Sequence, residues 1–475
     1  MKKAICILLI VLLLASLSAC QQPDGPDVPD TPADSPLEKE IKSTLDNYIN
    51  SLMANTPSYV PYWNKESYKG RWNYIDGVFL NSIVNLYKQT GQSKYKDFFL
   101  KYINYYVNDS GEFVNPETLQ PNFKAGELDS ICASRVLFDA YEMTQDNKYL
   151  LAIENTYAYL MQMPKATSSP NFSHKETYPN QVWLDGMYMY VPFYLRYANY
   201  KGLTDVYAEV QAQYKYIRDH MFSEQKQLYY HGHDTTKSIF WADDTTGNSQ
   251  SFWLRSMGWY IVSLADSIEY VNDDQVKTYL KTLLAEALDG VLQYRDEQSK
   301  MFYQLVDKGA TKFLVEAKYF EGLKNKSYMF DGKYQATYIE NYLESSGSAM
   351  IAYALLKSAR LGYINKDLHQ KGVECFEGIY NHSVSVENGV HLNNICITAG
   401  LGPENKPYRD GTPAYYLAEP VGSDDAKGVG PFIMAYLEYI SWWKSQINGK
   451  QTNSKPKRLA TITFHKAPKR LSNCG

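Results

Sequence analysis

The chain has 475 residues, 44% of them apolar and 15% aromatic, enough to bury a sizeable core in one large domain or two ordinary ones, which excludes disorder over most of its length. Its net charge of −4 is segregated: residues 1–20 carry +2, residues 21–38 carry −5 and the end from Gly449 about +7, leaving roughly −8 on the body between them. A body of that sign gives no reason to expect nucleic acid as a partner.

The amino terminus reads Met1-Lys2-Lys3, an apolar stretch through Leu14, then Leu17-Ser18-Ala19-Cys20. A charged start, a short apolar run and small residues before a cysteine predict a signal peptide over 1–20, and the run is too short for a permanent membrane span. The pattern resembles a bacterial lipoprotein signal, which implies a lipid on Cys20 and anchorage in the cell envelope, periplasmic or on the surface. Residues 21–38 set prolines at 23, 26, 29, 32 and 36 among aspartates, the composition of an extended tether.

From 39 to 448 the chain reads as one helical domain. Apolar residues at three- and four-residue spacing predict helices near 37–54, 74–89, 93–107, 128–144, 147–162, 184–200, 203–221, 253–269, 273–293, 342–361, 365–381 and 428–447. Tyr87-x-x-Thr90-x-x-x-Lys94-Tyr95 recurs as Tyr141-x-x-Thr144-x-x-x-Lys148-Tyr149, which marks a repeated helical hairpin. Twelve helices in six pairs form either an open solenoid, which needs polar capping repeats, or a closed (α/α)6 toroid. No such caps are seen, so an all-α toroid is the predicted fold. The loops before Asp129 and Asp185 are long, that from 294 to 341 longer still, and long loops at one rim carry function.

Residues 449–475 are basic, hold no acid and lack helical periodicity, which predicts a disordered tail. With Cys6 and Cys20 in the signal, Cys132, Cys375, Cys396 and Cys474 remain, and no spacing among them suggests zinc. A disulfide between Cys375 and Cys396 is compatible with export; buried free thiols are the preferred reading.

The candidate chemistry lies where the inner helices begin. Asp76 in Tyr74-Ile75-Asp76-Gly77, Asp129 in Glu127-Leu128-Asp129-Ser130 and Asp185 in Trp183-Leu184-Asp185-Gly186 follow an apolar residue, precede a small one and open helical runs. Arg255 and Glu344 take the same slot in later repeats. An aspartate there can simply cap a helix. A cation cannot, and Arg255 is better explained by a bound anion or neighbouring carboxylates. In a ring these groups meet at one end, where proton transfer can occur.

His231, His233 and Asp234 could be read as metal ligands, but two ligands two residues apart would need an extended segment, and no third is marked elsewhere in the chain. Donation from histidine to a carboxylate or sugar hydroxyl is preferred, with no metal or cofactor. Arg255 and Trp259, four residues apart, share a helix face. The run from Tyr415 through Asp424-Asp425-Ala426-Lys427-Gly428-Val429-Gly430-Pro431 reads as the sixth rim loop and lacks phosphate-loop spacing.

Taken together, Trp183-Leu184-Asp185, Tyr230-His231-Gly232-x-Asp234, Arg255-x-x-Gly258-Trp259, Tyr342-Leu343-Glu344-x-Ser346 and Asp425 to Pro431 resemble glycoside hydrolase family 105, the unsaturated rhamnogalacturonyl hydrolases. That (α/α)6-barrel family is similar in fold to the unsaturated glucuronyl hydrolases of family 88. The resemblance implies Asp185 as general acid, Asp129 as second acid, and His174, His231, Arg255, Trp259, Trp183 and Tyr74 as substrate-binding residues. It also implies hydration of the C4=C5 vinyl ether of a 4,5-unsaturated uronate at the non-reducing end of a lyase-generated oligosaccharide, by a monomer.

The sequence departs from the family pattern at His233, where Trp is common, and at Met257, where Asn is common. Both departures bear on which sugars are preferred. Competing readings are a non-catalytic glycan-binding lipoprotein, or another glycosidase or an epimerase on the same toroid, the last needing histidines paired across the cavity.

Overall fold

The structure, a computed structural model, describes residues 36–56, 72–115 and 117–449. The predicted signal with Cys20, nearly all of the tether, and the tail beyond 449 lie outside them. Helix α1 (Pro36–Ala54) takes in the last three residues assigned to the tether, with proline in its first turn, where the missing N–H costs nothing.

The helices that follow are α2 (Tyr74–Thr90), α3 (Ser93–Tyr106), α4 (Asp129–Cys132), α5 (Leu137–Thr144), α6 (Asn147–Met161), α7 (Leu184–Lys201), α8 (Asp205–Met221), α9 (Leu254–Ser267) and α10 (Asp274–Leu292). Then come a short α11 (Ala317–Leu323), α12 (Ser345–Leu361), α13 (Leu368–Ser383), a short α14 (Pro413–Ala418) and α15 (Ala426–Gly449). The predicted helix over 128–144 is divided into α4 and α5 by a 3-10 turn, Ala133–Val136, that carries Arg135 inward to Asp266, 2.5 Å away.

Two sorts of helix are visible in their burial. Helix α12 is buried at every position from Ser345 to Ala359, as suits a helix packed on all sides. Helix α3 buries only Tyr95, Phe99, Tyr102, Ile103 and Tyr106, a single stripe. The fully packed helices contact one another in the order α2, α4 with its 3-10 turn, α7, α9, α12, α15 and back to α2, which closes the ring. Helices α3, α6, α8, α10 and α13 lie outside their partners. Helix α1 completes the sixth pair, with Tyr48 donating to Asp424 at 2.6 Å just before α15. This is the (α/α)6 toroid.

Close approach inside the ring depends on glycine. A Cβ on Gly347 of α12 would lie 2.3 Å from the Leu254 side chain of α9, and one on Gly430 of α15 only 2.5 Å from Val78 of α2. A buried ion cluster ties the same layer together. Asp266 accepts from Lys357 at 2.6 Å and from Tyr353 at 2.7 Å besides Arg135.

The loop from 294 to 341 is not irregular. Lys312–Val315 pairs antiparallel with Thr337–Glu340, and with α11 and α14 it buries a second small core around Phe320, Tyr319, Val315 and Tyr416. The predicted helix over 342–361 starts only at Ser345, because Leu343 bridges to Tyr303 and Tyr342 accepts from the Gln304 N–H at 2.8 Å.

Candidate active site

Main-chain hydrogen bonds between successive rim loops bring the sequence-distant residues together. At four of the six inner-helix starts a backbone N–H donates to the loop that precedes the next inner helix. Leu128 donates to His174 at 3.2 Å, Leu184 to His231 at 3.1 Å, Leu254 to Gln304 at 3.0 Å and Ser345 to Asn394 at 3.0 Å. Gln181–Trp183, leading into α7, also pairs antiparallel with Gly232–Asp234. Residues of neighbouring repeats are therefore laid side by side around one rim.

Asp129 and Asp185 sit in the first turns of α4 and α7, two adjacent inner helices. Asp129 Oδ1 is 3.4 Å from His174 Nε2 and Oδ2 is 2.5 Å from Lys175 Nζ. Burial pushes the Asp129 carboxyl up, but Lys175, His174 and Lys124 together hold it below the usual carboxylate range, so it is ionised. Burial likewise opposes the charge on Lys175, and Asp129 and Glu127 restore it. His174, whose pKa burial lowers against the upward pull of Asp129, is neutral at neutral pH; it feels both Asp129 and Asp185.

Asp185 Oδ2 faces His231 Nε2 at 3.2 Å, without the alignment of a hydrogen bond. His231 Nδ1 lies 2.6 Å from the Tyr416 hydroxyl. Burial holds the Tyr416 phenol far above its ordinary range, so it keeps its proton. With Tyr416 donating to Nδ1, the ring proton of His231 is on Nε2, towards Asp185. Trp183 stacks on His174 with ring centroids 4.4 Å apart and meets His231 edge-on at 5.3 Å, forming an aromatic wall between the two acid–histidine pairs.

The helix-cap reading fails for Asp185 and holds for Glu344. Helix α7 has Trp183 at its cap and no side-chain cap bond, whereas Glu344 accepts from the Gly347 N–H at 2.7 Å, from Ser346 Oγ at 2.7 Å and from the Cys396 N–H at 3.1 Å. Asp76 is turned aside: Asn73 donates to it at 3.3 Å, and its charge acts on Tyr102 and Tyr106 of the outer helix α3.

Arg255 lies deeper. Its Nη1 bonds the Cys396 carbonyl and, at 3.3 Å, Ser346 Oγ, with Glu344 3.9 Å away, and its guanidinium covers Trp253 at 4.7 Å. A neighbouring carboxylate and a carbonyl thus account for a cation at that helix start. Trp259 is buried along the barrel axis, stacked on Tyr188 at 4.5 Å and edge-on to Tyr74 at 6.4 Å, so the ring face on Tyr188 is not open to a sugar.

The second histidine of the 231–234 run serves structure: His233 Nδ1 is 3.0 Å from Asn248 Oδ1. Asp234 accepts backbone N–H bonds from Thr236, Ser238 and Ile239. Among the described residues no group of histidine, cysteine and acid side chains is arranged to hold a metal ion. Cys132, Cys375 and Cys396 are free and buried. Two functional neighbours escaped the sequence reading: Lys175, signalled only by adjoining His174, and Tyr416, inside a run noted merely as a rim loop.

A helical toroid with paired acids at one rim is the architecture of a carbohydrate-active hydrolase, and comparison with known proteins agrees. Residues 44–318 and 330–442 match the model of Glycosyl Hydrolase Family 88, and the chain belongs to that family. It is similar to a family 105 glycoside hydrolase of known structure from C. acetobutylicum ATCC 824, with 31% identity and a TM-score of 0.70 over 84% of this chain and 99% of that one. Protein Atu3128 of Agrobacterium fabrum is 33% identical over 53% of this chain and 98% of its own length. The unsaturated rhamnogalacturonyl hydrolase YesR of Bacillus subtilis is 19% identical over 62% of this chain and 74% of its own. The protein is a glycoside hydrolase, of the family 105 type.

Proposed function

We propose that this hydrolase removes a 4,5-unsaturated uronic acid from the non-reducing end of oligosaccharides left by a polysaccharide lyase. The observation that carries the reading is the pair of carboxylates at adjacent inner-helix starts, each against its own histidine, one of them held ionised by Lys175. Asp185, which has no cation bonded to it, is the proton donor. It protonates C4 of the vinyl ether, leaving an oxocarbenium-like centre at C5. Water adds at C5 and gives its proton back to the Asp185 carboxylate. The hemiketal then opens, the bond to the neighbouring sugar breaks and that sugar leaves with its hydroxyl restored.

Fixed negative charge on Asp129 stabilises the developing cation. His231, oriented by Tyr416, is placed to direct the water or the Asp185 carboxyl. No metal-assisted step is part of this scheme. A lipid on Cys20 in a bacterial envelope, and a monomeric state, complete the reading and rest on the sequence alone.

The test follows the ultraviolet absorbance of the conjugated alkene across a panel of lyase-generated disaccharides. The wild-type protein bleaches at least one of them. Asp185→Asn, folded by circular dichroism, loses about 100-fold or more in kcat, the contribution of a general acid. Near-normal bleaching by that variant would remove the mechanism.

A further inference from the structure

The helix that brings Tyr416 to His231, α14, has six residues, too few to hold its own position. Both its ends are held from the 294–341 loop. At the start, the Tyr319 hydroxyl of α11 donates to Asp410 Oδ2 at 2.8 Å and lies 3.3 Å from Oγ1 of Thr412, the α14 cap. Asp410 Oδ1 in turn accepts from Thr412 Oγ1 at 2.7 Å and from the Thr412 N–H at 3.0 Å. At the other end, the buried Asn325 donates through Nδ2 to the Ala418 carbonyl at 2.8 Å, one of the acceptors that a helix terminus leaves open. Asn325 is itself fixed, its N–H on the Phe320 carbonyl at 2.9 Å and its Oδ1 accepting from the Ser327 N–H at 3.3 Å.

Packing makes the same connection. Phe320 and Tyr328 stack at 4.2 Å, and a Cβ on Gly322 would lie 2.5 Å from the Tyr408 ring, so α11 bears on the chain that leads into α14. Within this small core α14 meets the site: Tyr416 stacks on Trp253 with centroids 5.8 Å apart, and His231 packs on the same indole at 4.8 Å. Trp253 is fixed by donation from Nε1 to Gln304 Oε1 at 3.1 Å. The indole backs both rings, and the grip on α14 sets where the phenol meets the imidazole. Residues 319–329 fall between the two stretches that match the family model, so their contribution is not one the family supplies.

We infer that Asn325 and Tyr319 are positioning residues for the reaction: by gripping α14 at both ends they set the 2.6 Å contact between the Tyr416 hydroxyl and His231 Nδ1, and with it the tautomer that faces Asp185. Both act through Tyr416. A hydrogen bond weakens steeply as its distance and angle depart from the optimum, so a displacement of α14 by about 1 Å is enough to lose the contact.

The kinetic effect rests on the reading under Proposed function, and two readouts keep the inference and that reading apart. Unsaturated digalacturonate and unsaturated galacturonyl-rhamnose are followed by alkene absorbance with the full chain as wild type, Asn325→Ala, Tyr319→Phe, Tyr416→Phe, and each of the first two combined with Tyr416→Phe. The imidazole nitrogen resonances of histidine-labelled protein, with those of His231 assigned through His231→Gln, read the tautomer without substrate. Asn325→Ala and Tyr319→Phe each lower kcat about two- to tenfold, the worth of one hydrogen bond, with KM nearly constant. In the Tyr416→Phe background neither lowers it further. Both move the His231 Nδ1 and Nε2 resonances towards one another as the second tautomer becomes populated. Equal losses of kcat in the wild-type and Tyr416→Phe backgrounds, or wild-type His231 resonances in both single variants, overturn the inference. Bleaching of neither compound by the wild type overturns the reading on which it rests, and the His231 resonances then decide the positioning on their own.

Discussion

Replacing Lys175 by methionine isolates the charge balance on which the acid pair depends. The ammonium is 2.5 Å from Asp129 Oδ2 and 3.4 Å from Glu127 Oε2, and both Lys175 and Asp129 are largely buried. An adjacent cation lowers a carboxyl by about 1–3 units, each about 1.4 kcal/mol. Without it, only His174 and Lys124 oppose burial, and the Asp129 carboxyl rises from its depressed position. In the wild type Asp129 stabilises the fold at pH values above its unfolded pKa, and that contribution is lost as pH falls through the depressed folded value. In the variant the folded and unfolded values draw together and that contribution shrinks. At neutral pH the variant is therefore less stable by roughly 1.4–4 kcal/mol.

Activity moves in the same sense. If ionised Asp129 is needed, the acid limb of kcat/KM shifts towards higher pH by about 1–3 units, and Lys175→Arg, which keeps the charge, restores most of the shift. The assay is the pH profile of alkene bleaching beside urea unfolding at acidic and neutral pH. A uniform loss of kcat/KM with the acid limb unmoved refutes the reasoning, because Asp129 would then not be the group that Lys175 holds ionised.

Tyr416→Phe removes the 2.6 Å contact with His231 Nδ1 and frees the imidazole tautomer; kcat falls about tenfold with KM nearly constant, and stability drops by about 1 kcal/mol, read by steady-state kinetics and thermal unfolding. Asp266→Asn leaves Arg135 and Lys357 buried without their carboxylate, a loss of about 3–5 kcal/mol in urea unfolding. Against burial, Lys357 and Arg135 hold the wild-type Asp266 carboxyl well below its usual range. Its contribution is thus present above the unfolded pKa and lost as pH falls through the folded one, and the variant shows a flatter acid-unfolding profile. Gly290→Ala sets a Cβ 1.9 Å from the backbone oxygen of Gln227, an overpacking that costs about 1–3 kcal/mol and appears as a lower thermal midpoint with kcat little changed.

What was legible in the sequence follows from where each residue sits. Helix periodicity recovered the six hairpins because inner and outer helices both repeat apolar residues at helical spacing, and register among repeats picked out Asp129 and Asp185 because each follows a buried leucine at a helix start. Register also overreached. Asp76 shares the pattern yet turns towards α3, and Glu344 shares it yet caps its own helix, since one residue of phase along a helix changes which neighbour a side chain meets. Lys175 and Tyr416 stayed hidden because a rim loop and the short α14 deliver them. Their positions depend on main-chain bonds such as Leu184 N–H to His231 O, which leave no side-chain signature. The division bears on the proposed mechanism: helix starts supply its two acids, while loops supply Lys175 and His231 beside them. Substitutions in the first turns of α4 and α7 should therefore change the proposed reaction most directly, and substitutions in the rim loops should act through the groups set against those acids.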